Sequence, residues 1–305
     1  MDSEKFSPQA KDIYKNTLIY VDSKEKESRR TGQLVIGPLF ELAELIVDAT
    51  AQSEQLSSYA VYYFDKADIT RSHVVNVAVF ATVLARGLGL SRDELIRTCA
   101  AGLLHDIGFA KLDPSVLNIF IEQLKPGEIN TIRNHPELGY ALITHSNPNL
   151  EWLASIIHQH HEKGDGSGYP RHLRESEMLP AARILSIIDT YEALLHPREH
   201  RDALIPPQGI QELIKQEGTR FPRQLIKTLV ETISLYPSGC FVQLNSGEVA
   251  RVIKTNPKLP TRPVVRILTD PQGHSSSPEI INLAENPLMT ITMCIPPPGM
   301  TRIGT

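Results

Sequence analysis

His105 and Asp106 end the run Ala100-Ala101-Gly102-Leu103-Leu104-His105-Asp106, which Ile107-Gly108 follows. A small and apolar stretch that closes on an imidazole and a carboxylate reads as a buried helix delivering two polar side chains to one spot. Burying them without partners costs several kcal/mol, so something must compensate them. A divalent first-row metal is the leading candidate, because His nitrogen and Asp oxygen both ligate such ions. One His-Asp pair is also what a hydrogen-bonded core pair looks like, so a metal there requires more ligands. The chain supplies them: it has 11 histidines, of which His135, His145, His158, His160 and His161 fall within 27 residues. His73 lies on an apolar helical stripe, and His160 and His161 follow Ile156-Ile157. Such repeated burial at helix ends favours a shared centre.

Seven ligand candidates result: His73, His105, Asp106, His135, His160, His161 and Asp189. Two six-coordinate ions bridged by Asp106 would use about that many protein donors plus water. One zinc with three or four ligands would leave several buried groups without partners. The expectation is therefore two divalent ions, iron first and manganese second, rather than one structural zinc.

The elements that must position these residues are helical from about Ile69 to Leu235. Arg71 to Leu88 puts His73, Val77, Phe80, Ala81 and Leu84 on one face. Ser91-Arg92-Asp93-Glu94 is a capping box opening the helix that reaches His105-Asp106. A third helix from about Pro126 stops near His135-Pro136, where proline can start the next one. Asn149 to about Glu162 makes another, followed by the loop Gly164-Asp165-Gly166-Ser167-Gly168-Tyr169-Pro170. Pro180 to Leu195 carries the stripe Ile184, Ile187, Ile188, Tyr191 and Leu194, interrupted by Asp189. Two more helices fit Gln208–Glu217 and Pro222–Leu235.

Residues 1–65 read as a small N-terminal domain of unassigned role. There the charged stretch Lys24-Glu25-Lys26-Glu27-Ser28-Arg29-Arg30 is most simply a solvated turn, and Pro38 to about Phe64 is helical in period. Past Pro237 the texture changes to short apolar runs, Phe241–Leu244, Glu248–Ile253, Val264–Leu268 and Leu288–Met293, separated by turn signals. The fold class is thus mainly α, with three parts: residues 1–65, a helical domain over 66–235, and a β-rich antiparallel extension over 236–305.

Composition narrows the partners. The chain has 305 residues, a net charge of −4 and a pI near 6.3, so no global basic field invites a nucleic-acid polymer. Cys99, Cys240 and Cys294 are widely spaced, which suggests a reducing compartment and no thiolate zinc site. No run is long enough to span a bilayer, and the start lacks the apolar core of a signal peptide. A cytoplasmic protein is expected, of an oligomeric state that the sequence does not fix.

His105-Asp106 followed by His160-His161-Glu162-Lys163-Gly164-Asp165-Gly166-Ser167-Gly168-Tyr169-Pro170 resembles the HD-GYP family of phosphohydrolases. The match takes in His73, His135, Pro180-Ala181-Ala182-Arg183-Ile184 and Asp189, so it covers about residues 69 to 235, and the tail from Tyr236-Pro237 resembles an extension of many members. The resemblance implies an HD-type helical bundle, a bi- or trinuclear metal centre with Asp106 at its catalytic core, and hydrolysis of cyclic di-GMP or a related cyclic dinucleotide. It also implies substrate contacts from Gly168, Tyr169, Arg183, Arg198 and Arg201. Two metals suit that chemistry, since they activate water and neutralise charge at phosphorus. The glycine-rich loop would let backbone approach a ligand closely, though a turn alone explains its glycines as well. Glu162 would orient a neighbouring histidine or cap a helix.

Four positions depart from the family. Phe109 stands where members carry a phosphate-contacting lysine, and Lys111 would point elsewhere. Ile69 replaces the glutamate one turn before the first histidine, so two metals are expected and not three. Arg198-Glu199-His200-Arg201 loses the tyrosine of the family's arginine-proline-tyrosine-arginine segment, and Glu192 replaces a second Asp while keeping its charge. Ligands intact beside altered substrate contacts leave a second expectation open: a weakened signalling module that binds nucleotide or a signalling protein and turns over little. Another HD-type phosphohydrolase for a different nucleotide fits less well, because the Gly-Tyr-Pro loop is complete.

Overall fold

The computed structural model describes residues 7–62, 69–114, 125–195, 203–277 and 279–295. Its first helix, α1 (Pro8–Thr31), starts where the Ser7 hydroxyl accepts from Ala10 N at 3.1 Å and ends at Gly32, in the left-handed region at φ 74°. Both ends carry the residue types that satisfy helix termini. The charged stretch 24–30 therefore lies inside a helix and not in a turn. The physical reason is that its charges fall at helical spacing: Asp22–Lys26 at 2.9 Å, Lys24–Glu27 at 2.7 Å and Glu25–Arg29 at 3.1 Å, pairings that support a helix. The opposite face buries Tyr14, Thr17, Tyr20, Val21 and Ser28.

The span expected to be one helix to Phe64 is two, α2 (Leu39–Gln52) and α3 (Gln55–Tyr62), broken at the extended Ser53; Phe64 lies outside the described residues. Next come α4 (Ile69–Gly87) and α5 (Arg92–Leu104), the latter opened by the expected capping box of Ser91 and Glu94. A short 3-10 turn over Ile107–Lys111 follows, then α6 (Pro126–Arg133) and α7 (His135–Ser146), the break falling at His135-Pro136 as the sequence indicates. α8 (Glu151–His158) is shorter than expected at both ends, so His160 and His161 sit in the turn beyond it. α9 (Pro180–Leu195), α10 (Pro206–Ile214) and α11 (Arg223–Thr232) complete the helical part.

One buried apolar cluster runs through this whole part, from Ala10 and Tyr14 in α1 to Leu229 in α11 and Ile233 beyond it. Burying each Leu, Ile or Phe of that cluster contributes about 1.5–3 kcal/mol. Within it Gly102 lets α5 approach α4 closely: a Cβ there would lie 2.7 Å from Ala78 Cα. That approach brings the His73 and His105 rings to 5.3 Å.

The extension is an antiparallel sheet with its own smaller core around Cys240, Val242, Ala250, Val252, Val265 and Ile267. Its strands are β1 (Phe241–Leu244), β2 (Val249–Lys254), β3 (Val264–Thr269), β4 (Ile280–Asn282) and β5 (Ile291–Ile295), in the order β4-β3-β2-β1-β5. The edge strand β4 was not legible in the sequence, because its three half-exposed or exposed residues carry no alternation. No helix of the described residues is long and apolar enough to cross a membrane.

Candidate metal centre

Three histidines are built into the site by the same device. His105, His135 and His160 each lie one or two residues past the end of a helix. Each turns Nδ1 back to the carbonyl three residues earlier: His105 to Gly102 O at 2.8 Å, His135 to Ile132 O at 2.8 Å, His160 to Ile157 O at 2.6 Å. Those carbonyls belong to the last helical turns, where the full intrahelical ladder runs out and acceptor capacity remains. Accepting a proton from Nδ1–H fixes the tautomer, and Nε2 is left as the lone pair facing inward.

The inward nitrogens meet two carboxylates, each shared. Asp106 Oδ1 lies 3.2 Å from His135 Nε2 and 3.8 Å from His160 Nε2, while its Oδ2 lies 3.4 Å from His105 Nε2 and 4.0 Å from His73 Nε2. Asp189 Oδ1 is 3.1 Å from His73 Nε2 and Oδ2 is 3.3 Å from His161 Nδ1. Two ligand sets result, Asp106 with His135, His160 and His161, and His73 with His105 and Asp189; within each set the donor atoms lie within 4.8 Å of one another. All seven residues named from the sequence are thus brought together.

The donors fit divalent cations. His105 Nε2 is buried with no hydrogen-bond partner, an arrangement that costs energy unless something else occupies it. His135 Nε2 faces His160 Nε2 at 3.2 Å, and with Nδ1 of each ring turned to a carbonyl this pair of nitrogens presents the arrangement that a shared cation would occupy. A hard or borderline divalent ion with imidazole and carboxylate ligands matches that donor set.

The electrostatics point the same way. Burial pushes the His160 imidazole well below its ordinary value, helped by the neighbouring His161 and His105, and burial pushes His161 down to about 4. Both are neutral, and so ready to ligate, at pH 7. Burial works against the charge of Asp106, but His105 and His135 outweigh it and hold the carboxyl well below the usual range. Burial likewise opposes the charge of Asp189, and His161 and His73 overcome it. His73 is the exception: burial disfavours its proton, yet Glu192 and Asp189 hold it well above the ordinary histidine value.

Glu192 is the residue that sequence reasoning undervalued. Buried on α9 one turn after Asp189, it accepts from His73 Nδ1 and from Asn76 Nδ2 at 2.9 Å. Asn76 Oδ1 in turn accepts from the Tyr14 hydroxyl at 2.5 Å, so α1 reaches the ligand sphere through two polar residues. A second link runs from Arg29, whose guanidinium donates to Phe109 O at 2.9 Å and Leu112 O at 2.6 Å. Lys111 turns to Gly32 O at 2.9 Å, away from the cluster as expected. Phe109 itself lays its ring 4.2 Å from that of His135.

The remaining named residues divide. Tyr169 stacks on His161 at 4.7 Å, and its hydroxyl is pushed up by burial and by Asp189 and Asp106. Gly168 has its close approach to the protein's own backbone: a Cβ would overlap Glu162 Cα and Lys163 N. Arg183 pairs with Glu175 at 3.3 Å in a crevice with Glu162, Met178 and Ser186, and that crevice includes none of the seven cluster residues. Arg198 and Arg201, with His200, lie outside the described residues. Among the described residues the Glu162 carboxylate hydrogen-bonds no histidine and caps no helix; it accepts from Arg171 N at 2.6 Å and Leu173 N at 3.0 Å and so ties down the loop after Pro170.

Residues 43–225 match the family model described as HD domain, and residues 241–301 match a KOW domain associated with HD domain. The chain is 29% identical over 206 residues to a cyclic di-GMP phosphodiesterase of Pseudomonas aeruginosa, covering 66% of this chain and 48% of the relative. It is 31% identical over 233 residues to a 3′3′-cGAMP-specific phosphodiesterase of Vibrio cholerae, covering 71% and 43%. It spans about half the length of the curated relatives it matches. Among solved structures, an HDG"Y"P protein from Bdellovibrio bacteriovorus has the same fold, with a TM-score of 0.61 at 21% identity over 75% of this chain and 73% of that one.

Proposed function

From the premise that this chain belongs to the HD domain family, and to its HD-GYP type, we propose that it is a metal-dependent phosphodiesterase for cyclic di-GMP or a related cyclic dinucleotide. His73, His105, Asp106, His135, His160, His161 and Asp189 would hold two divalent ions, iron first and manganese as the alternative. The observation that carries this reading is the sharing of Asp106 and Asp189 between two sets of inward-facing imidazoles. When bound, such ions activate water and neutralise charge on a phosphodiester.

The protein's own groups do the rest. The Nδ1 bonds to helix-end carbonyls hold three imidazoles in place before any ligand arrives, so no reorganisation is needed during the reaction. The Phe109 ring against His135 shields one wall of the site from water. Tyr169, protonated at neutral pH, forms another wall on His161. Three widely spaced cysteines with no C-x-x-C pattern support action in the reducing cytoplasm.

The second reading, a module that binds nucleotide or a signalling protein and turns over little, is favoured by Phe109, which puts a ring where a cation would neutralise phosphate. Elemental analysis of the purified protein, with chromatography of products from a panel of cyclic dinucleotides, separates the two. Metal with product supports the phosphodiesterase; metal and nucleotide binding without product selects the module. Less than one equivalent of metal, unchanged in His105→Ala, sinks the phosphodiesterase reading.

A further inference from the structure

Among the described residues, the walls of the centre are short of free positive charge. Arg71 is committed to Asp22 at 2.5 Å, and Lys111 to Gly32 O. Lys163 turns its ammonium to Ser186 Oγ at 2.9 Å and Thr190 Oγ1 at 3.0 Å, and Arg29 is spent on backbone carbonyls. Arg133, the last residue of α6, differs from all of them. It is exposed, and among the described residues it makes no ion pair or hydrogen bond. Its guanidinium carbon lies 5.5 Å from the centroid of the Tyr169 ring, which itself stacks on His161. A guanidinium over an aromatic face is held in orientation while its N–H edges stay open to an anion.

The order of the stack sets what Arg133 can reach. A phosphodiester undergoing cleavage must lie at the ligand cluster, whereas Arg133 meets the Tyr169 ring and, among the described residues, bonds to none of the seven cluster residues. A cyclic dinucleotide carries a second phosphodiester that does not react. We propose that Arg133 anchors this second, non-reacting phosphodiester, with Tyr169 as the platform that aims it. This assignment rests on the phosphodiesterase reading above and adds to it the group that selects cyclic dinucleotides over simple diesters. Arg133 acts through binding and takes no part in the bond-breaking step.

The test compares two substrates in the manganese-loaded full chain: cyclic di-GMP, with two phosphodiesters, and bis(p-nitrophenyl) phosphate, with one. Arg133→Ala should raise KM for cyclic di-GMP roughly 10- to 100-fold, the range expected for losing a charge-assisted, bidentate contact. Its kcat should stay within about twofold, and both constants for the simple diester should be unchanged. Arg133→Lys should recover part of the loss, since charge is kept but the fork is not. Metal content and melting temperature should match the wild type, because the side chain is exposed. Equal losses on both substrates would place Arg133 at the reacting phosphate and overturn the proposal, as would no change on either. In both of those cases the wild type still cleaves cyclic di-GMP and the phosphodiesterase reading stands. Failure of the wild type to bind or cleave any cyclic dinucleotide brings down both together.

Discussion

Glu192→Gln measures how far a carboxylate outside the seven ligands governs the centre. Glu192 takes hydrogen bonds from His73 Nδ1 and Asn76 Nδ2, and Asn76 Oδ1 takes one from Tyr14. A glutamine that keeps its oxygen on His73 turns its own NH2 toward the Asn76 NH2, two donors face to face. Flipping Asn76 relieves that clash and places its NH2 against the Tyr14 oxygen, whose hydroxyl proton can turn to Ser72 O, 3.4 Å away. The relay is repaired by two local rotations, and what is lost is the charge. Hydrogen bonds to charged groups are worth about 1.5–3 kcal/mol against about 0.5–1.5 for neutral ones. The difference, roughly 1–1.5 kcal/mol, is about tenfold in metal affinity, at the low end of what losing an outer-shell partner costs. Glu192→Ala leaves both donors buried without acceptors, at about 1–3 kcal/mol each, and should weaken binding by roughly 100-fold or more. Glu192 also favours the His73 proton that competes with metal, so the deficit of the Gln variant should be largest at high pH and shrink as pH falls. Calorimetric titration of metal-free protein with Mn2+ at two pH values reads all of this. Wild-type affinity in Glu192→Gln, or a Gln variant weaker than the Ala variant, would refute the relay.

Asp106→Asn removes the carboxylate that both ligand sets share and should weaken metal binding by more than the roughly 10–100-fold typical of outer-shell changes; retention of metal on elemental analysis would contradict the shared geometry. Gly108→Ala puts a Cβ onto the His135 carbonyl and 2.8 Å from Gly139 N, forcing α7 outward. Overpacking of that kind costs about 1–3 kcal/mol and, at about 2–4 °C per kcal/mol for a unit of this size, should lower the melting temperature by roughly 2–12 °C; an unchanged transition would contradict it. His73 is held protonated near neutrality in the metal-free protein, while His160 and His161 are already neutral. Metal must therefore expel the His73 proton: affinity should rise with pH through the neutral range and level off above the raised pKa. Calorimetry at pH 7 in buffers of differing ionisation enthalpy should register that proton, and binding without proton release would count against the His73–Glu192 pairing.

The cluster was legible because of where histidine was spent. His105, His135 and His160 follow apolar or helical runs, and the carbonyls of the last helical turns before them accept their Nδ1 and orient them. Asp189 was legible as a break in an otherwise apolar stripe. The strands β1, β2 and β3 announced themselves by composition and turns, to within a residue or two. α1 did not, since its buried face includes Tyr14, Thr17, Tyr20 and Ser28, a polar set that hydropathy periodicity passes over. The role of Glu192 was hidden for a related reason: its partners are 116 and 119 residues away, and nothing local marks a carboxylate that faces an imidazole.

Those two omissions have one cause, and it bears on what residues 8–31 do. Tyr14 reaches His73 through Asn76 and Glu192, and Arg29 fixes the carbonyls of Phe109 and Leu112 just after Asp106. The two contacts lie four turns apart on α1 and reach the cluster at two points, His73 through Asn76 and Glu192 and the segment after Asp106 through Phe109 and Leu112. A rigid helix that grips both points fixes their separation, which Asp106 must span to serve both ligand sets. Displacing α1 would therefore act on the Asp106 and His73 geometry without altering any of the seven clustered residues, and a leading segment with no chemistry of its own becomes part of what positions them.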